Sequence, residues 1–83
     1  MLERNIQKTI IKELEKRGCW VVKTISSNKR GTPDILACCD GQFYAVEVKQ
    51  PGKKATRVQE YQLTKIRDAG GVAIVASSIG DLK

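Results

Sequence analysis

The chain contains no histidine. That absence removes several chemistries at once: histidine-metal nucleases, Ser-His and Cys-His hydrolases, and zinc sites that need imidazole. Also missing are any apolar run of membrane-spanning length and any signal-peptide pattern. A cytoplasmic setting, in a bacterial or phage-infected cell, is the expectation. Cysteine is scarce, with only Cys19, Cys38 and Cys39, and no pair has C-x-x-C spacing. Cys38 and Cys39 are adjacent on what reads as a strand, so they point to opposite faces and cannot jointly clasp a metal. Buried free thiols are expected of all three, in keeping with a reducing compartment. Acidic residues are outnumbered, 9 against 15 Lys plus Arg, which leaves a net charge of +6. In so small a body that balance favours a polyanionic partner. Repeats, linkers and low-complexity tracts are lacking. The 83 residues allow one domain, 1–83, with a modest core and no separate recognition module.

What is present centres on Gly31 to Lys49. Two β-rich runs, Ile35 to Cys39 and Phe43 to Val48, flank Asp40-Gly41. Asp-Gly in that context predicts a two-residue type I′ hairpin turn, which requires positive φ at both positions. Cys39 then pairs with Gln42, and counting outward sets Asp34 directly opposite Glu47. Opposed residues project to one face with Cβ atoms roughly 5 Å apart, and Lys49 shares that face. Both faces of the hairpin are apolar over most of their length, which predicts a sheet covered on both sides. Two carboxylates and an amine at one end of such a face are costly to bury unpaired. A divalent cation resolves the conflict with oxygen ligands and positive charge. A plain cross-strand carboxylate–lysine pair at the sheet edge is the alternative.

On either side the pattern is regular. Leu2 to Arg17 reads as a helix, with Leu2, Ile6, Ile10 and Leu14 as its apolar stripe and Gly18 as its stop. Glu3 is seven residues before Ile10 and points the same way. It is either a favourable charge at a helix N-terminus or a further acid near the metal. Cys19 to Thr24 reads as a strand, followed by a polar, basic loop that carries Lys29 and Arg30 into Pro33-Asp34. A second basic loop, with Lys53 and Lys54, leaves from Lys49. Together the loops suggest a clamp on a phosphate backbone, joined by Arg57. Thr56-x-x-Gln59 is a capping box opening a second helix that runs to about Ala69 and closes at Gly70-Gly71. Its buried side is assigned to Val58, Tyr61, Leu63 and Ile66, with Arg57, Lys65 and Arg67 outward. Val72 to Ala76 is a final apolar strand, and strand–helix–strand implies parallel pairing. The whole is an α/β fold in the order α-β-β-β-α-β, a mixed four-stranded sheet flanked by two helices.

One ordered set of residues stands out: Glu3, Gly31-x-Pro33-Asp34, Glu47-x-Lys49, and Gln59 ahead of Gly70-Gly71. This set resembles the VRR-NUC (virus-type replication-repair nuclease) domain of the PD-(D/E)XK nuclease superfamily, in a single-domain, phage-like form. The likeness spans Glu3 to about Ala76, and it implies a restriction-endonuclease-like core. It also implies Mg²⁺ or Mn²⁺ held by Asp34, Glu47, the Val48 carbonyl and Glu3. The ion would polarise the scissile phosphate and lower the pKa of a bound water. Lys49 would orient that water and offset charge in the transition state, and Gln59 would join the active site. DNA phosphodiester hydrolysis leaving a 5′-phosphate is the implied reaction, with no organic cofactor. Single-domain members suggest a homodimer matched to the two-fold symmetry of a branched or four-way junction. Leu2, Trp20, Ile79 and Leu82 are candidates for its interface. The competing class is a basic, non-enzymatic or partner-dependent nucleic-acid-binding protein on a nuclease-like fold, and metal dependence separates the two.

Overall fold

A computed structural model describes residues 2–83. Helix α1 (Glu3–Lys16) leads into strand β1 (Trp20–Lys23), the hairpin strands β2 (Ile35–Cys39) and β3 (Gln42–Val48), helix α2 (Arg57–Asp68) and strand β4 (Val72–Ala76). A short 3-10 turn, Ile79–Asp81, follows. The strands lie in sequence order, with β1–β2 and β2–β3 antiparallel and β3–β4 parallel. The expected α-β-β-β-α-β order and mixed four-stranded sheet are therefore what the chain forms.

Both helices end for the same local reason. Gly18 (φ +91) and Gly70 (φ +99) adopt left-handed backbone, where residues with a Cβ are strained. Their amides, and those of Cys19 and Gly71, turn back to the carbonyls of Glu15, Arg67, Leu14 and Ile66. That double closure is the Schellman arrangement, and it satisfies carbonyls the helix leaves open.

The two helices cover the sheet unequally. α1 lies across β1, β2 and β3, whereas α2 lies over β3 and β4 alone. Beneath α1, Ile6, Ile10 and Leu14 pack on Ile35, Ala37, Val46 and Val48, and this is the main core. Beneath α2 there is a smaller cluster of Ala45, Leu63 and Ala73. Core side chains alternate between the faces along β2 and β3, as the pleat requires.

Several details differ from expectation. Leu2 precedes α1 and is 51% exposed, so the α1 stripe is Ile6, Ile10 and Leu14. On α2 the buried side is Leu63 with half-buried Gln59, Gln62 and Ile66, while Val58 and Tyr61 are exposed. A helix over two strands needs only a narrow apolar stripe, and Val58 and Tyr61 fall at its margin. For the same reason only β3 is covered by helices on both faces. Leu82 is half-buried against the main core rather than free on the surface.

The cysteines also depart from the expected buried thiols. Cys19 and Cys39 form a disulfide, and Cys38 is free and exposed. Trp20 pairs with Cys38 in the β1–β2 register, so Cys19 and Cys39 are the next opposed pair. Their Cα atoms are 4.5 Å apart, within the range a disulfide spans.

Candidate active site

The site is built from the hairpin outward. Asp40 (φ 53) and Gly41 (φ 76) both take the positive φ of the expected turn, and Cys39 pairs with Gln42. The ladder continues to Ile35–Val46, so the next step sets Asp34 against Glu47. Asp34 is anchored twice: its carbonyl accepts from the Thr24 amide and its Oδ2 accepts from the Val48 amide, both at 2.8 Å. Pro33 is buried immediately before it and favours the extended entry to the strand. The Val48 amide therefore spends its hydrogen bond on a side chain, while the Lys49 amide returns to backbone pairing with the Ala76 carbonyl.

Glu47 is only 2% exposed. Its Oε2 accepts from Gln59 Nε2 at 3.2 Å, and its Oε1 is buried with no donor. Gln59 reaches it because the capping box forms as expected. The Thr56 hydroxyl accepts from the Gln59 amide at 3.2 Å, and Gln59 Oε1 accepts from the Thr56 amide at 2.8 Å. One glutamine thus caps α2 with its oxygen and holds Glu47 with its nitrogen. The Glu47 carboxyl is pushed up from 4.5 to about 8. Burial is the largest cause, followed by the Asp34 carboxylate beside it; Lys49 opposes the shift and Glu3 adds to it.

Asp34, Glu47, Lys49 and Gln59 are therefore brought together, with Glu3 near enough to act on Glu47 through its charge. Among the described residues no three Asp, Glu, Cys or His side chains converge as a ready-made metal cluster. The close set is two carboxylates rather than the three the sequence raised. That pair suits a divalent cation: it offers hard oxygen donors, and a buried carboxylate oxygen without a donor is one that a cation would satisfy.

The basic residues sit further out. Lys29 and Arg30 are exposed on a loop stitched by Ser27, Thr32 and the Lys29 carbonyl. Gln62 Nε2 binds the Arg30 carbonyl at 3.0 Å, and Gly31 (φ +79) lies so close to Val58 that a Cβ there would come within 2.6 Å of it. Sequence reading overlooked Gln62; its place one turn after Gln59 on the same side of α2 was the available signal. Lys53, Lys54 and Arg57 are exposed beyond the turn at Gly52, and no hydrogen bond between their side chains and the carboxylate pair is present among the described residues.

A mixed sheet with this connectivity, carrying Asp34 opposite Glu47-Val48-Lys49, defines a PD-(D/E)XK nuclease of the VRR-NUC type, with the restriction-endonuclease-like core. Within that class, the family model for archaeal Holliday junction resolvase (Hjc) matches residues 2–79, and the chain belongs to this family. The p44 protein of Acyrthosiphon pisum secondary endosymbiont phage 1, provisionally named a nuclease, is 34% identical over 77 residues, which cover 92% of this chain and 83% of p44. A solved VRR_NUC domain superposes with a TM-score of 0.82 at 28% identity, covering 94% of this chain and 86% of that one. Archaeoglobus fulgidus Hjc, a Holliday junction resolvase, superposes at 0.70 with 25% identity, covering 90% of this chain and 67% of its own. The family and its nuclease relatives support a DNA nuclease.

Proposed function

We propose that the chain, with residues 1–83 acting as one nuclease unit, hydrolyses DNA phosphodiester bonds using Mg²⁺ or Mn²⁺, with branched or four-way junction DNA as its substrate. The observation that carries this reading is the Glu47 carboxylate, buried beside Asp34 with one oxygen left without a donor. Asp34, Glu47 and the Val48 carbonyl would hold the ion, with Glu3 at the margin. When bound, such an ion polarises a phosphoryl oxygen and acidifies water. Lys49 stands two residues from Glu47 on the same face, where its ammonium orients the attacking water and offsets negative charge on the phosphate. Gln59 fixes the Glu47 carboxylate from the other side. Lys29, Arg30, Lys53, Lys54 and Arg57 bind phosphates on either side of the cut.

A symmetric homodimer fits this substrate, since a four-way junction offers two equivalent strands. Ile79 (37% exposed) lines an apolar concavity of about 440 Å³ together with Ile6, Ile10 and Pro51, and a second copy would cover it. A cytoplasm containing DNA is the setting in which such an enzyme acts; among the described residues no helix is long and apolar enough to cross a membrane.

Cleavage of junction, flap and linear duplex DNA, with Mg²⁺ or Mn²⁺ and with EDTA, tests the reading. Metal-dependent cutting favouring the junction is expected, and Asp34→Asn or Glu47→Gln should abolish it in a folded protein. Undiminished cutting in EDTA would overturn the metal site. Equal cutting of junction and duplex would overturn the branched substrate, and a monomer in sedimentation with and without junction DNA would overturn the dimer.

A further inference from the structure

The sheet face that carries Asp34 and Glu47 does not end where α2 ends. Because α2 leaves β1 and β2 uncovered, the face runs on into solvent away from the carboxylates. The register sets out its rows: Val22, Leu36 and Ala45 stand side by side, then Trp20, Cys38 and Phe43. Exposure rises in that direction, from buried Ala45 and half-buried Leu36 to Phe43 at 45% and Trp20 at 69%. Two aromatic rings therefore flank a small thiol on a pleated surface. The Phe43 ring lies beside Gly71, where a Cβ would come within 3.2 Å of it.

An exposed apolar row of this kind needs a partner, and charge decides which. The second copy proposed above has its own concavity to cover, at Ile6, Ile10, Pro51 and Ile79, and the face at Trp20 belongs to a chain of net charge +6 with the Lys29–Arg30 loop tied to α2 by Gln62 at its site end. A nucleic acid strand is complementary in charge to that loop, and its bases are complementary to the rings. Aromatic platforms stack any base, because every base has a π-face. Phe43 and Glu47 are four residues apart on β3, which is roughly 14 Å of strand. As a separation that corresponds to about four stacked nucleotides at 3.4 Å rise, and fewer when the strand is unstacked, with the strand running over the open β1–β2 side because α2 covers β3 between the two residues.

We infer that Trp20 and Phe43 form a stacking platform for unpaired nucleobases, on the same sheet face as the carboxylate pair and a few nucleotides from the phosphate to be cut. The platform selects DNA with unpaired bases, as at a flap or single-stranded arm, or with pairs that open beside a branch point, and it rests on the nuclease reading above for its substrate class.

Trp20 is the sole tryptophan, so its fluorescence reports directly. In EDTA, where metal-dependent cleavage is blocked, the protein is titrated with a single-stranded oligonucleotide, with its duplex, and with the same strand made abasic. The intact single strand should quench Trp20, and the duplex and abasic strand should quench it little. Trp20→Ala and Phe43→Ala should each weaken single-strand binding about tenfold while duplex affinity stays within about twofold. Trp20→Phe should recover most of the loss. Circular dichroism confirms that the exposed-site variants remain folded. Equal quenching by all three ligands, or equal loss of single-strand and duplex binding, would overturn the platform. So would a Trp20 signal that shifts with protein concentration alone, which assigns the face to a second copy. None of these measurements needs turnover. Failed quenching with intact metal-dependent cleavage removes the platform only, and base-dependent quenching without any cleavage removes the nuclease only.

Discussion

Glu47 should make the metal-free protein less stable as pH rises. Its carboxyl titrates near 4.5 in an ordinary setting and at about 8 in the folded chain. Below pH 4.5 the group is neutral in both states and folding loses nothing to it. Between 4.5 and 8 the unfolded chain releases the proton while the folded chain retains it, so stability falls by about 1.4 kcal/mol per pH unit. From pH 5 to pH 7 the loss amounts to about 2 to 3 kcal/mol, a large share of the roughly 5–15 kcal/mol typical of a domain. Glu47→Gln keeps an oxygen for Gln59 Nε2 and offers an amide hydrogen to Asp34, and it cannot ionise. Urea unfolding in EDTA at pH 5, 6 and 7 should show the wild-type midpoint falling relative to that of the variant. Adding Mn²⁺ should remove the wild-type loss, since a cation favours the ionised pair. Parallel pH dependence in the two proteins would refute the account of the buried carboxylate. A wild-type slope that Mn²⁺ leaves unchanged would refute the metal site.

Four further outcomes are expected. Lys49→Ala should lower the cleavage rate by about 100-fold or more yet largely retain Mn²⁺ binding in calorimetry; loss of metal binding instead would make Lys49 structural. Gly31→Ala combines a left-handed φ with a clash against the Val58 backbone and should cost about 2 kcal/mol in urea unfolding, whereas a cost near zero would mean the loop is not held against α2. Neutralising Lys29, Arg30, Lys53 and Lys54 should make the salt dependence of DNA binding shallower, by about 0.9 in log–log slope for each phosphate no longer neutralised; an unchanged slope places the DNA path elsewhere. Reducing the Cys19–Cys39 link, which spans 20 residues, should lower stability by about 3 kcal/mol on loop entropy, and a Cys19→Ser variant should be insensitive to reductant.

What the sequence alone determined is what short-range rules govern. Asp40-Gly41 specifies its own turn, because positive φ at both positions is available to that pair, and the turn in turn sets the β2–β3 register. Asp34 facing Glu47 was legible for this reason. Thr56 and Gln59 announce their capping box by spacing, and Gly18 and Gly70 close their helices where the apolar stripes stop. The fold followed from those elements because a strand–helix–strand unit has few ways to close. Tertiary structure alone decided everything that crosses a long connection. β1 meets β2 across the loop from Thr24 to Asp34, with no turn to pin the pairing, so the opposition of Cys19 and Cys39 was not readable. Helical periodicity gives a direction for Val58 and Tyr61 but not the width of sheet beneath them. Placing α2 over β3 and β4 alone left those two side chains exposed and β1–β2 open on that face. The same docking brought Gln59 to the carboxylate of Glu47 and Gln62 to the carbonyl of Arg30. Sequence spacing sets which side of a helix a residue occupies, and only packing sets what stands opposite.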